Sequence, residues 1–74
     1  MYTKAVGIVL KKYREERGIS QEVLSGLACM DRSHLSKIEL GKRSPSVNMF
    51  LRISVALNIK PHIIMQEIEK ILEE

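Results

Sequence analysis

The sequence predicts an all-α fold: one compact domain of five helices, the second and third forming a helix-turn-helix. Three observations carry this. Apolar residues make up 45% of the 74-residue chain but aromatics only 4%. The core is therefore built from Leu, Ile, Val, Met and Ala, which suits packed helices better than a sheet rich in aromatic and β-branched side chains. Apolar positions recur at spacings of three and four, the period of a one-sided helix. Finally, the stretch from Gly18 to Pro45 reads as capped helix, tight turn, capped helix and basic turn. Two short helices set at an angle by a tight turn are a device for placing one of them in the major groove of DNA.

The first helix is expected from about Lys4 to Arg17. Val6, Val9, Leu10 and Tyr13 make its apolar stripe and Ile8 falls at the margin, while Lys11, Lys12, Glu15 and Glu16 take the opposite face. Gly18 stands where a left-handed residue commonly ends a helix. The second helix begins after Ser20, a good N-cap, with Val23 where a complete capping box would have Glu or Gln. Ile19 is placed to staple onto Leu24 across that cap. Val23, Leu24, Leu27 and Ala28 supply an apolar face, and Gly26 costs about 1 kcal/mol relative to Ala within a helix.

After a turn at Cys29 and Met30, Asp31 is positioned to cap a third helix from Arg32 to about Leu40. Leu35 and Ile38 form its apolar seam, and the polar Arg32, Ser33, Ser36 and Lys37 point elsewhere. Gly41 ends it, and Lys42, Arg43, Ser44 and Pro45 make a basic turn. Ser46 caps the fourth helix, about Val47 to Leu57. Met49, Phe50, Ile53, Val55, Ala56 and Leu57 are too many for one narrow stripe, so this helix is expected to be the central, most buried one. Asn58 is a natural C-cap, and Pro61 opens the fifth helix in its first turn, where its missing N–H costs nothing. Ile64, Ile68, Ile71 and Leu72 share one face of that helix, flanked by Ile63 and Met65.

A chain of 8.5 kDa is expected to form a single domain over residues 1–74, burying a modest fraction of its surface, so a second subunit would add stability. One cysteine excludes an intramolecular disulfide and makes no metal cluster, so neither metal nor cofactor is expected; it suits a reducing cytosol. No apolar run approaches the roughly 20 residues that span a bilayer. The start MYTKAVGIVLKKY has too short an apolar stretch for a signal peptide. A cytoplasmic protein without a membrane partner is expected. The formal charge of +3 is unevenly spread: residues 1–43 hold nine Lys/Arg against five Asp/Glu, and residues 44–74 three against four. A basic half beside a slightly acidic one suits one face for a polyanion and another for something else.

The residues in this order resemble the Cro and phage-repressor family of helix-turn-helix domains, also called the xenobiotic-response-element type. Arg14, Gly18-Ile19-Ser20-Gln21-Glu22, Leu24, Ser36-Lys37-Ile38-Glu39, Gly41, Arg43, Pro45-Ser46 and Ile53-Ser54-Val55-Ala56-Leu57 fall at the family's spacing across roughly residues 6–60. Each element is weak alone; in order they are specific. Two positions depart. Cys29 stands where the family usually has Gly, which asks for a left-handed Cys at roughly 1 kcal/mol or for a slightly different turn. Ser25 replaces a residue that is commonly Ala.

The resemblance implies a DNA-binding regulator of the compact five-helix repressor-like type. Arg32 and Ser33 lie in the first turn of the third helix, the part that enters the groove in this family, with Ser36 and Lys37 one turn on; these four are the expected base contacts. An Arg paired bidentately with guanine is worth about 1–3 kcal/mol of discrimination. Phosphate contacts are expected from Gln21, Lys42, Arg43, Ser46 and Asn48. Gln21 sits at a helix N-terminus, where free N–H groups favour an anion, and Arg43 is placed for a phosphate or the minor groove. In the family, Arg and Glu at positions 14 and 39 form a partly buried ion pair.

Residues 61–74 carry four Glu and one Lys, so the fifth helix should face away from DNA. Its Ile64, Ile68 and Leu72 are expected to meet a second copy in part, giving a homodimer whose recognition helices lie about 34 Å apart on palindromic double-stranded DNA. No small-molecule effector is expected. Short stand-alone members with an Asp-Arg-Ser start to the third helix resemble restriction–modification controller proteins; DNA-binding antitoxins look alike. A protein-interaction module on the same fold, as in bridging coactivators, is a competing reading, but the basic, polar third helix speaks against it, since a protein-binding face should be more apolar or aromatic. His34 has no partner acid or nucleophile at a recurrent spacing and reads as a surface or DNA-proximal residue, His62 reads as surface, and no catalytic set supports an enzyme.

Overall fold

A computed structural model describes residues 2–74. Five helices follow in order: α1 Tyr2–Glu16, α2 Gln21–Leu27, α3 Arg32–Glu39, α4 Val47–Leu57 and α5 Pro61–Glu73. There is no strand among the described residues. α1 lies against α3 and α5, α2 against α3 and α4, and α4 against α5. Leu10, Leu24, Leu35, Ile38, Ile53, Leu57 and Ile64 are fully enclosed where these helices meet. α1 starts two residues earlier than its apolar stripe predicts. Val9 and Leu10 are buried, Val6 and Tyr13 half-buried, and Ile8 is exposed.

The caps follow the local chemistry. Ser20 Oγ accepts from Val23 N–H at 3.1 Å, and Ser46 Oγ accepts from Met49 N–H at 3.1 Å. Asp31 occupies the N-cap of α3, but its side chain makes no capping bond. α1 to α4 all end alike, on a residue in the left-handed region: Gly18 at φ 68°, Cys29 at 56°, Gly41 at 78° and Asn58 at 57°. In each case that residue and the next donate their N–H groups back into the last turn, as Cys29 does to Gly26 and Met30 to Ser25. Cys29 therefore adopts the strained alternative. A left-handed non-glycine costs about 1–2 kcal/mol.

Three expectations need correcting. On α2, Val23 and Leu27 are exposed; so short a helix between two neighbours buries only the stripe of Leu24, Ser25 and Ala28. α4 is not buried all round. Phe50, Ile53, Ser54 and Leu57 face inward, whereas Val47 and Val55 are 76% and 78% exposed, with Leu51 exposed between them. On α5, Ile64 and Ile68 are 0% and 3% exposed, so they close this chain's own core and present almost no surface to a second copy. Leu72, near the end of α5, is half-buried.

Glu67 ties α5 to α1, accepting from Lys70 Nζ at 3.1 Å and Lys12 Nζ at 3.2 Å. The two ammonium groups, Lys70 first, hold the Glu67 carboxyl below its ordinary value.

Candidate nucleic-acid interface

α3 packs against α1 and α2 with one side and leaves the other exposed. Leu35, Ile38 and Glu39 are buried; Arg32, Ser33 and Lys37 are exposed and Ser36 is half-buried. The 3.6-residue period separates these sets, because 35 and 38 lie one turn apart while 32, 33, 36 and 37 fill the remaining arc. The exposed arc thus carries an Arg, a Lys and two hydroxyls, the donors that read purine edges.

Beside it, Lys42, Arg43, Ser46 and Asn48 are all exposed in the turn after α3 and the first turn of α4. Ser46 Oγ accepts the Met49 N–H, which leaves the hydroxyl hydrogen free to donate to a phosphate. Among the described residues, Arg32, Lys37, Lys42 and Arg43 are not paired with any carboxylate. These cations are uncommitted, the condition for exchanging counterions with a polyanion.

The opposite end of α3 is anchored. Glu39, whose side chain is 2% exposed, accepts from Arg14 Nε at 2.7 Å and Nη2 at 3.1 Å, a fork-on-fork pair. Its Oε1 also accepts from Gln21 Nε2 at 2.9 Å, and Arg14 Nη1 donates to the Ile19 carbonyl at 2.8 Å. The carboxylate raises the already high Arg14 pKa, with burial opposing. One acid thereby joins α1, the start of α2 and the end of α3. No buried side-chain polar atom among the described residues lacks a partner. Gln21 is half-buried and spends one amide hydrogen on Glu39, leaving the second for an external acceptor.

Gly7 lies where α1 passes the same end of α3. A Cβ there would sit 2.3 Å from the Ile38 carbonyl oxygen and 2.8 Å from that of Glu39. The apolar stripe of α1 gave no sign of this approach. Nor did the sequence reveal Arg52, which reaches from α4 to the turn between α2 and α3, donating to the Ala28 carbonyl at 3.0 Å and to that of Cys29. His34 is half-buried and lies with Met30, Asp31 and Met49 beside that turn. No group of three or more metal-ligating side chains is assembled among the described residues, and none of their helices is long and apolar enough to cross a membrane.

A five-helix body that presents a polar, cationic α3 beside a basic turn defines the class of helix-turn-helix DNA-binding domains. The helix-turn-helix family profile matches residues 10–64. The chain belongs to this family, in its Cro and phage-repressor branch. Among curated relatives, the ImmF control region 10 kDa protein of Bacillus phage phi105 is 28% identical over 71 residues, 96% of this chain and 79% of that protein. The transcriptional regulator SinR of Bacillus subtilis is 32% identical over 63 residues, covering 84% of this chain but only 57% of SinR. Among solved structures, the restriction–modification controller protein C.AhdI from Aeromonas hydrophila is 34% identical with a TM-score of 0.81, covering 84% of this chain and 94% of its own. The controller protein C.Esp1396I, solved as a tetramer on its natural 35-base-pair operator, is 26% identical with a TM-score of 0.91 over 100% and 97% of the two chains.

Proposed function

We propose that this protein is a sequence-specific transcriptional regulator acting as a homodimer on palindromic double-stranded DNA, with α3 in the major groove. The observation that carries this is the division of charge on and around α3: the buried Glu39 is triply bonded, while Arg32, Lys37, Lys42 and Arg43 are exposed and unpaired. Arg32, Ser33, Ser36 and Lys37 read base edges; Gln21, Lys42, Arg43, Ser46 and Asn48 hold phosphates. The operator-bound tetramer of C.Esp1396I supports the reading. In this reading the protein is a non-enzymatic regulator that works in the cytoplasm, where its DNA ligand lies. The controller class is favoured over the antitoxin by its likeness to C.AhdI and C.Esp1396I.

Two variants separate the contact types. Arg32→Ala should weaken binding to the preferred site by about 1–3 kcal/mol and relax selectivity at one base pair per half-site. Arg43→Ala should weaken binding to all duplexes alike and flatten the dependence of log K on log salt by about one. Fluorescence anisotropy across a salt series checks both; identical behaviour of the two variants would refute the assignment.

With Ile64 and Ile68 enclosed, pairing falls to the exposed face of α4. Val47, Leu51 and Val55 repeat every four residues along it. A groove of about 390 Å³ beside Val47 and Leu51 is lined by Val6, Phe50 and Met65, and Leu27 extends the apolar surface next to Val55. Leu72 stays available at the end of α5. Leu51→Glu is expected to sediment as a monomer with an unchanged helical spectrum, and to bind a single half-site as wild type does; a variant that remains dimeric would move the interface elsewhere.

A further inference from the structure

We infer that Arg52 is a positioning residue of the DNA-reading unit, locking the left-handed Cys29 that sets α3 against α2. The inference rests on the DNA-binding reading above and adds a residue that touches no DNA. Its basis is a pattern across the four helix ends. Two of them turn on glycine, at Gly18 and Gly41. Among the described residues no side chain donates to the carbonyl of either glycine or of the residue before it.

The other two turn on Cys29 and Asn58, and each is held in the same way by an arginine distant in sequence, Arg52 on α4 and Arg17 just after α1. Arg52 Nε donates to the Ala28 carbonyl and Nη2 to the Cys29 carbonyl. Arg17 Nε donates to the Leu57 carbonyl at 2.8 Å and Nη2 to the Asn58 carbonyl at 3.5 Å. In both, one guanidinium edge spans the carbonyl of the left-handed residue and the one before it. The C-terminal carbonyls of a helix lack partners within it and carry the negative end of its dipole, so a cation is the suitable group there.

A side chain at a left-handed position favours relaxation to negative φ, and relaxation would swing the two carbonyls apart. A rigid planar fork accepts only one separation between them. Arg52 therefore does for Cys29 what the absence of a Cβ does at Gly18. Arg32 follows the turn by three residues, so a change of backbone direction at Cys29 moves the base-reading side chains directly. Arg17 performs the same task at the turn from α4 to α5, away from α3.

The test uses the full chain, with two duplexes: the site enriched from random DNA by the wild-type protein, and a shuffled duplex of the same composition. Arg52→Ala should lose about tenfold in affinity for the enriched site, the equivalent of one base contact. It should keep its affinity for the shuffled duplex within about twofold, since phosphate contacts dominate there. Cys29→Gly in the same chain should restore most of the loss, Asn58→Gly should restore none, and Arg52→Lys should fall between. Amide exchange at Met30, whose N–H is bonded to the Ser25 carbonyl, should accelerate in Arg52→Ala and recover with Cys29→Gly without any DNA present. An equal loss on both duplexes would make Arg52 a phosphate ligand and overturn the inference, as would failure of Cys29→Gly to rescue. Unchanged exchange at Met30 would overturn it too. A wild-type protein that does not distinguish the duplexes would overturn the DNA reading itself, while the exchange result would still decide the role of Arg52 in the turn.

Discussion

Glu39→Ala is expected to cost about 3–5 kcal/mol of stability. The Glu39 carboxylate receives three hydrogen bonds, from two nitrogens of Arg14 and one of Gln21. Removing it leaves a largely buried guanidinium that cannot shed its charge, because Arg does not deprotonate in proteins. In a domain of this size each kcal/mol moves the melting temperature by about 4–8 °C, so the variant should melt roughly 12–40 °C below wild type. Lys42→Ala, an exposed and unpaired cation a few residues away, should melt within a few degrees of wild type. Thermal denaturation by circular dichroism compares the two; equal melting temperatures would show that the Arg14–Glu39 pair does not hold the unit together.

Gly7→Ala should destabilise by about 1–3 kcal/mol although alanine is the better helix former. The two effects oppose each other, and distance decides between them. The new Cβ would meet the Ile38 and Glu39 carbonyl oxygens at 2.3 and 2.8 Å, both backbone atoms that cannot rotate away. α1 would have to lift from α3 and loosen the Arg14–Glu39 pair at the same contact. Gly26→Ala provides the control: nothing lies within 4 Å of its Cβ position, so propensity alone should act, stabilising by about 1 kcal/mol. Opposite signs in urea denaturation are the expected result. Stabilisation by both substitutions would mean that α1 and α3 lie further apart.

The helices and the polar face of α3 were legible because local rules decide them. Ser20 and Ser46 cap where hydroxyls should, Gly18, Gly41 and Asn58 end helices where left-handed residues should, and α3 divides by period into a buried seam and a polar arc. What escaped was tertiary. Period places Val47, Leu51 and Val55 on α4, but which face meets a neighbour depends on where α2 and α5 lie. Ile64 and Ile68 looked like spare apolar surface because nothing in a stripe tells whether this chain or a second copy covers it. Gly7 and Arg52 act through backbone atoms 31 and 24 positions away, and a carbonyl partner leaves no mark on residue type. Cys29 was visible as an anomaly; its support from Arg52 was not.

In the proposed reading, seating on DNA and reading of DNA are divided within this small unit. Glu39 is bonded and Gly7 closely packed at the far end of α3, Arg52 is bonded to the turn before it, and the exposed cations are unpaired. Selection of bound duplexes from a random pool tests the whole most directly. The protein should enrich a palindrome whose half-site centres lie about 34 Å, one helical turn, apart, with affinity for that site falling steeply as salt rises. A pool that remains unenriched, or an enriched site bound no better than random duplex, would contradict the assignment of this chain as a sequence-specific regulator.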